Sequence, residues 1–219
     1  AGIKKSGNLD VAVIYTKTQA VVAGTFTQNK VAAAPVYVSK EVVATGTAHA
    51  IVANAGCANA CTGQQGLDDA HKMAQIAADE LGVNADDVIV GSTGVIGVNL
   101  PMDKLEAGIK DAVANLSADG SGNAGRAIIT TDTHSKSVTC EFELSGKTVR
   151  MGAIAKGSGM IRPNMATMLC YITTDIAIDQ ALLQKAVSGC VEKSFNMISV
   201  DGDMSTNDMV IVLANGEAN

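Results

Sequence analysis

The stretch that decides the reading of this chain is KGSGMIRPNMATMLCYI, residues 156–172. It opens with Lys156 and two glycines, passes through Arg162-Pro163, and ends in an apolar run beginning at Thr167. Gly157 and Gly159 permit backbone angles closed to other residues, while Pro163 fixes its own φ and restricts Arg162 before it. So much backbone control just before a plain Ala166–Thr167 bond needs a reason. Taken locally, the segment is a loop entering a strand, with β-branched Thr167 a good strand residue. Thr167–Ile172 is accordingly expected to be a buried strand.

Working outward, the chain reads as strands punctuated by helices. Leu9–Tyr15, Ala20–Thr27 and His49–Asn54 are strand-like, followed by an amphipathic helix over Gln65–Leu81 with Gly82 placed to cap it. Asp87–Val90 is a short strand running into GSTGVIG, residues 91–97. A second helix begins near Pro101, with Leu105, Ile109, Val113 and Leu116 on one face and Asp103 and Glu106 in its first turn. Gly120–Gly125 reads as a loop. Ala127–Thr131, Ser137–Leu144 and Thr148–Ala155 follow as strands, then a helix from N-cap Asp179 to Phe195 and a last strand at Met209–Leu213. With no regular βαβ repeat, this pattern predicts a layered α/β or α+β fold, sheets sandwiched by helices.

Composition narrows the function. The 219 residues are 47% hydrophobic, enough for a sizeable core, but only 3% aromatic with no Trp, so that core rests on Val, Ile, Ala, Leu and Met. A net charge of -6 and scarce rings argue against nucleic acid, which needs a basic face and stacking platforms. No apolar run is long enough to span a bilayer, and AGIKKSGNLD carries no signal-peptide core. Cys57, Cys61, Cys140, Cys170 and Cys190 are odd in number and scattered, which points to reduced thiols in a cytoplasmic protein. Cys57 and Cys61 could begin a zinc site, but His71 and His134 are isolated and supply no second ligand pair, so no metal is expected.

Two further segments invite chemistry. The glycines of GSTGVIG could turn backbone N–H groups toward an anion, although neither the dinucleotide nor the P-loop spacing is met. A plain turn, a phosphate cradle and an oxyanion site built with the Thr93 hydroxyl all fit the residues. From Leu144 to Thr174 the chain holds Lys147, Arg150, Lys156 and Arg162 and no acidic residue. That run is either a solvated strand pair or a positive field for a small carboxylate.

The blocks GIKKSGNLDVAVI, NAGCANACTG, GSTGVIG, KGSGMIRPNMATML and SVDGDMSTNDM resemble, in order and along the whole chain, the ornithine acetyltransferase family of arginine biosynthesis, also called glutamate N-acetyltransferases. The resemblance implies the fold shared with N-terminal-nucleophile aminopeptidases. It also implies that Ala166–Thr167 is a self-cleavage site, which divides the chain into an α portion, 1–166, and the start of a β portion, 167–219. Thr167 becomes the nucleophile and part of the substrate site. Thr93, through its hydroxyl, and Gly94, through its N–H, match the oxyanion hole, and Lys156 a substrate-binding position.

The activity so implied moves an acetyl group from N-acetylornithine to glutamate through an acetyl-Thr enzyme, without a cofactor. Acetyl-CoA is a second acyl donor in bifunctional members, and α and β chains from one precursor assemble as α2β2, with neither nucleic acid nor membrane as partner. Members are considerably longer than this chain, so it is expected to be a piece of a precursor. A Glu and a terminal Asn and Thr of the substrate site then lie beyond it. An N-terminal-nucleophile amidohydrolase on the same fold, or a non-enzymatic module binding small amino acids, are the alternatives.

Overall fold

A computed structural model describes every residue except 5–6, 161–167 and 219. Its seven strands form one mixed sheet in the order β3-β2-β1-β7-β6-β5-β4. They are β1 (Val11–Phe26), β2 (Thr47–Cys57), β3 (Val88–Val95), β4 (Lys136–Leu144), β5 (Lys147–Lys156), β6 (Leu169–Thr174) and β7 (Met209–Ala214). The helices are α1 (Ala34–Thr45), α2 (Gly63–Leu81), α3 (Met102–Ala114), α4 (Ser121–Ile128) and α5 (Gln180–Glu192).

The sheet folds back on itself at β1. The two strands expected at Leu9–Tyr15 and Ala20–Thr27 are one 16-residue strand. Its first half pairs with β2 from Val11 to Tyr15, its second half with β7 from Val21 to Phe26, and the register slips between Tyr15 and Ala20. The polar residues Thr16–Gln19 fill that irregularity, where a bulge sharpens the bend. In a flat sheet β3 and β6 would lie four strand spacings apart, roughly 19 Å. Instead Ile51, Ala53 and Ile89 of β2 and β3 share one core with Ile154, Leu169, Tyr171, Met209 and Ile211 of β5, β6 and β7. The two halves therefore face each other. Where they meet, Gly91 leaves room for the Tyr171 hydroxyl, which would lie 2.1 Å from a Cβ built at that position.

Helices cover both outer faces. Against Val11, Val13, Ala50, Val52, Val88 and Val90 pack Ala70, Met73, Ala74 and Ala77 of α2 and Leu105 and Ile109 of α3. On the other side Leu183, Val187 and Val191 of α5 cover Cys170, Val210 and Val212. The result is helix, half-sheet, half-sheet, helix, the layered α/β arrangement expected.

Local signals hold at several ends. Gly82 closes α2 in the left-handed conformation at φ 70°, and the Asp179 carboxylate accepts from the Ala181 and Leu182 N–H groups at 2.9 and 3.3 Å. β4, β5 and β7 fall where alternation predicts them, and β6 begins at Leu169, Thr167 lying outside the described residues.

Three readings are corrected. Gly120–Gly125 is not a loop, and Ala127–Thr131 is not a strand: Ser121–Ile128 is a helix. Two glycines give it poor intrinsic propensity, but Ala127 and Ile128 are buried in the central core, with Ala124 packed against it. α1 has no counterpart in the sequence reading, because Val36, Val38, Val42 and Val43 look strand-like. Pro35 in its first turn and left-handed Gly46 after it are the helix signals that outweigh them. Finally, Gly91–Val95 is not a turn but the second half of β3. Among the described residues no helix is long and apolar enough to cross a membrane.

Candidate active site

The sequence blocks meet at one end of the folded sheet. β2 and β3 run parallel, so NAGCANACTG and GSTGVIG leave their strands side by side. The Ala58 N–H donates to the Val95 carbonyl at 2.9 Å, and the Gly97 N–H to that of Ala60 at 2.9 Å. From the opposite half-sheet, Asn207 Nδ2 donates to the Ala58 carbonyl at 2.7 Å, which brings the residues before β7 against the same loop. β5 ends there too, at Lys156, the first residue of the glycine-rich block.

Lys156 is 2% exposed. Its Nζ donates to Thr93 Oγ1 at 3.1 Å and to Thr130 Oγ1 at 3.2 Å. Burial lowers the ammonium's pKa, while the carboxylates of Asp132 and Asp208 work against that fall. An isolated cation this deep would be costly, and flanking acids are what make it tolerable. Burial also works to raise the Asp132 carboxyl. The Lys136 ion pair, the Gly157 N–H at 2.8 Å and the Lys156 charge nevertheless hold it below its ordinary value.

The Lys156 contact gives Thr93 a chemical character. With an ammonium on one lone pair, the hydroxyl keeps its own proton to donate, the property wanted of a group that stabilises negative charge. Thr93 is the last buried residue of β3 and Gly94 the first exposed one, so the pair sits at the mouth of the site. Gly94 cannot be another residue: its φ is +135°, and a Cβ there would lie 2.3 Å from the Gly56 carbonyl carbon and 2.6 Å from the Cys57 nitrogen. Beneath it, Ser92 Oγ donates to Asn54 Oδ1 at 2.6 Å and Asn54 Nδ2 to the Cys57 carbonyl at 2.9 Å, fixing the ends of β2 and β3 together.

The structure thus brings together Lys156, Thr93 and, by adjacency, Gly94. Ala166 and Thr167 lie outside the described residues, as does Arg162. The next residue, Met168, donates its N–H to Asp208 Oδ1 at 2.8 Å. Among its described residues, the cationic run of residues 144–174 does not form a single field. Lys147 and Lys156 stand at opposite ends of β5, and Arg150 pairs with Glu141 at the exposed side.

Sequence reasoning passed over Asp208, Asp132 and Thr130. Asp208 is fully buried, and burial pushes its carboxyl up to about 8, against the Met168 N–H, the Ser205 hydroxyl and Lys156. Its signal was present: Ser205-Thr206-Asn207-Asp208 is a polar run abutting an apolar strand, and all four are buried. Among the described residues no cluster of His, Cys, Asp and Glu is grouped to hold a metal.

The chain is 53% identical over 213 residues to the "Arginine biosynthesis bifunctional protein ArgJ" of Symbiobacterium thermophilum, covering 97% of this chain and 53% of that protein. It is 51% identical over 217 residues to the "Glutamate N-acetyltransferase" of Methanocaldococcus jannaschii, covering 97% and 54%. The chain spans about half the length of the curated relatives it matches.

Among solved structures, the ArgJ protein of Bacillus halodurans superposes with a TM-score of 0.68 at 42% identity, over 75% of this chain and 86% of that one. The ornithine acetyltransferase of Mycobacterium tuberculosis, solved with ornithine, gives 0.65 at 35% identity, over 77% and 88%. The L-aminopeptidase D-Ala-esterase/amidase of Ochrobactrum anthropi, described as a variant of the Ntn hydrolase fold, shares the fold alone, at 0.50 and 13% identity over 94% and 61%. The ArgJ family model matches residues 1–219, and with these relatives it places the chain in the ArgJ family.

Proposed function

We propose that this chain is the part of an ornithine acetyltransferase that carries its nucleophile and oxyanion hole. The precursor cuts itself between Ala166 and Thr167. The Thr167 hydroxyl attacks the Ala166 carbonyl, the C–N bond breaks as the nitrogen takes up a proton, and water then hydrolyses the resulting ester. Thr167 is left with a free α-amino group, whose ordinary pKa of about 7.7–8.0 suits it to deprotonate its own hydroxyl. The freed hydroxyl attacks the amide carbonyl of N-acetylornithine, ornithine departs, and glutamate takes the acetyl group from Thr167. The Thr93 hydroxyl and Gly94 N–H receive the negative charge that develops on the carbonyl oxygen in each step. Lys156 polarises Thr93 and offers a positive charge to a substrate carboxylate. Acetyl-CoA as a second donor and an α2β2 assembly go with the same reading.

The observation that carries the proposal is the buried Lys156–Thr93 contact, at the sheet end where the chain also re-enters at Met168.

The test uses the full-length protein. Its mass spectrum is expected to show two chains, the second beginning TMLCYITTD, and Thr167→Ala is expected to stay whole. An uncut wild-type protein would refute the proposal. Labelled N-acetylornithine should lose its acetyl group to glutamate; release of free acetate alone would favour a hydrolase.

A further inference from the structure

Three consecutive residues between α4 and β4 hold three consecutive residues at the end of β5. Thr130 Oγ1 accepts from Lys156 Nζ at 3.2 Å, and Asp132 Oδ1 accepts the Gly157 N–H at 2.8 Å. The Thr131 and Ser158 hydroxyls share a hydrogen bond at 2.7 Å. The acidic member of this clamp has a wholly buried side chain. Its Oδ1 takes both the Gly157 N–H and the Lys136 ammonium, whereas Oδ2 has no hydrogen-bond partner among the described residues. Lys156 has the matching surplus. Two of its three N–H donors go to Thr93 and Thr130, and the third has no partner among the described residues. The carboxylate is close enough to favour the ammonium, yet neither a hydrogen bond nor an ion pair joins them. Buried opposite charges attract strongly, so something must hold them apart. Lys136 and Gly157 hold the carboxylate from one side, Thr93 and Thr130 the ammonium from the other.

We propose that Asp132 is a positioning residue for Lys156: a counter-charge clamped short of contact, which keeps the ammonium ionised and leaves its third N–H to the substrate carboxylate. The inference rests on the acetyltransferase reading above, in which Lys156 meets that carboxylate. The other groups around Lys156 are less suited to the part. Burial lowers the Lys156 pKa, and Lys136 on β4 and Lys4 in the N-terminal segment push the same way. Asp208, before β7, is raised by its own burial to about 8, so it is mostly neutral at pH 7. At Asp132 burial is outweighed by Lys136, the Gly157 N–H and Lys156, and the carboxyl stays ionised. A carboxylate in direct contact would hold the ammonium just as well, but it would compete with the substrate for the same N–H.

Asp132→Asn in the full-length protein separates positioning from scaffolding. Asparagine keeps the shape and still accepts the Gly157 N–H, but it carries no charge. Lys156 acts as the ammonium, so activity is lost as pH rises through its pKa. Without the Asp132 charge that pKa falls further, and the basic limb of the kcat/KM profile for N-acetylornithine should move down by about one pH unit. Asp132→Glu returns the charge and should move the limb back. A defect of packing alone would lower activity equally at every pH.

An active Asp132→Asn variant with an unmoved basic limb overturns the proposal and leaves the acetyltransferase reading standing. A folded variant inactive at every pH also overturns it, because Asp132 would then do more than tune Lys156. A wild-type protein that takes no acetyl group from N-acetylornithine overturns both. Should Asp132→Asn fail to fold, Lys136→Met decides, since the Lys136 side chain is partly exposed. That change frees Oδ1 from one side of the clamp and lets the carboxylate close on Lys156. The KM for N-acetylornithine should then rise by about 10-fold, the effect of one charged hydrogen bond. An unchanged KM overturns the proposal.

Discussion

At the scale of single residues, the site is a set of buried polar groups that stabilise one another. Lys156 donates to the Thr93 hydroxyl, which leaves that hydroxyl its own proton, and the Asp132 carboxylate works against the fall that burial imposes on the Lys156 pKa. Thr93→Ala is expected to lower turnover by about 10²-fold with little change in KM, read from steady-state kinetics. Asp208 makes a distinct prediction for the uncut state, isolated as a Thr167→Ala protein. Its folded-state pKa, about 8, stands above the unfolded value, so folding favours its neutral form. Stability from this group is present below the unfolded pKa and is lost as pH rises toward 8. Thermal melts from pH 5 to pH 8 should therefore show Asp208→Asn gaining on its Asp208 parent, by several degrees at the upper end. Thr93, Gly94 and Lys156 were legible because they sit in extended sequence blocks. Asp208 was not, because a polar residue before a strand looks like any solvated turn until the fold shows that it is buried.

Among elements, β3 concentrates the tightest constraints. Its register brings Gly94 beside Gly56, with backbone where a side chain would go. Gly94→Ala combines that clash with a strained φ, so it is expected to lose about 3 kcal/mol or more and to aggregate or melt early, as thermal unfolding would show. Helices and strands with clean periodicity, α2, α3, β4, β5 and β7, could be read directly from the sequence. α1 and α4 could not, for opposite reasons. α1 is rich in branched residues that prefer strands, and α4 carries glycines that prefer loops. α1 is a helix because Pro35 and Gly46 mark its ends, and α4 because burial of Ala127 and Ile128 outweighs local preference.

For the whole molecule, what matters is that a single sheet supplies both central layers. The contact between Gly91 and Tyr171 measures how closely the two halves approach. Gly91→Ala should be destabilising. Tyr171→Phe, which removes the obstructing oxygen, should recover part of the loss, since the ring carbon behind it would lie 3.3 Å from the new methyl. A double-mutant cycle on thermal stability would give a coupling of about 1 kcal/mol or more; simple additivity would mean that the halves do not meet there. The two strand-like segments and the polar Thr16–Gln19 between them were visible in the sequence, but their union in one 16-residue strand was not. Two strand signals separated by polar residues read as a hairpin unless the partners of each half are known.

Strand order has one last consequence, for what a cut at Ala166 would do. β6 and β7 follow the cut, yet they lie between β1 and β5, which precede it. The downstream fragment is thus interleaved, zipped along both edges by ladders from Leu169 to Thr174 and from Met209 to Ala214. Severing the backbone would create two new chain ends and release nothing. The two pieces should travel together through gel filtration and part only in denaturant, so that maturation leaves a nicked but undivided body.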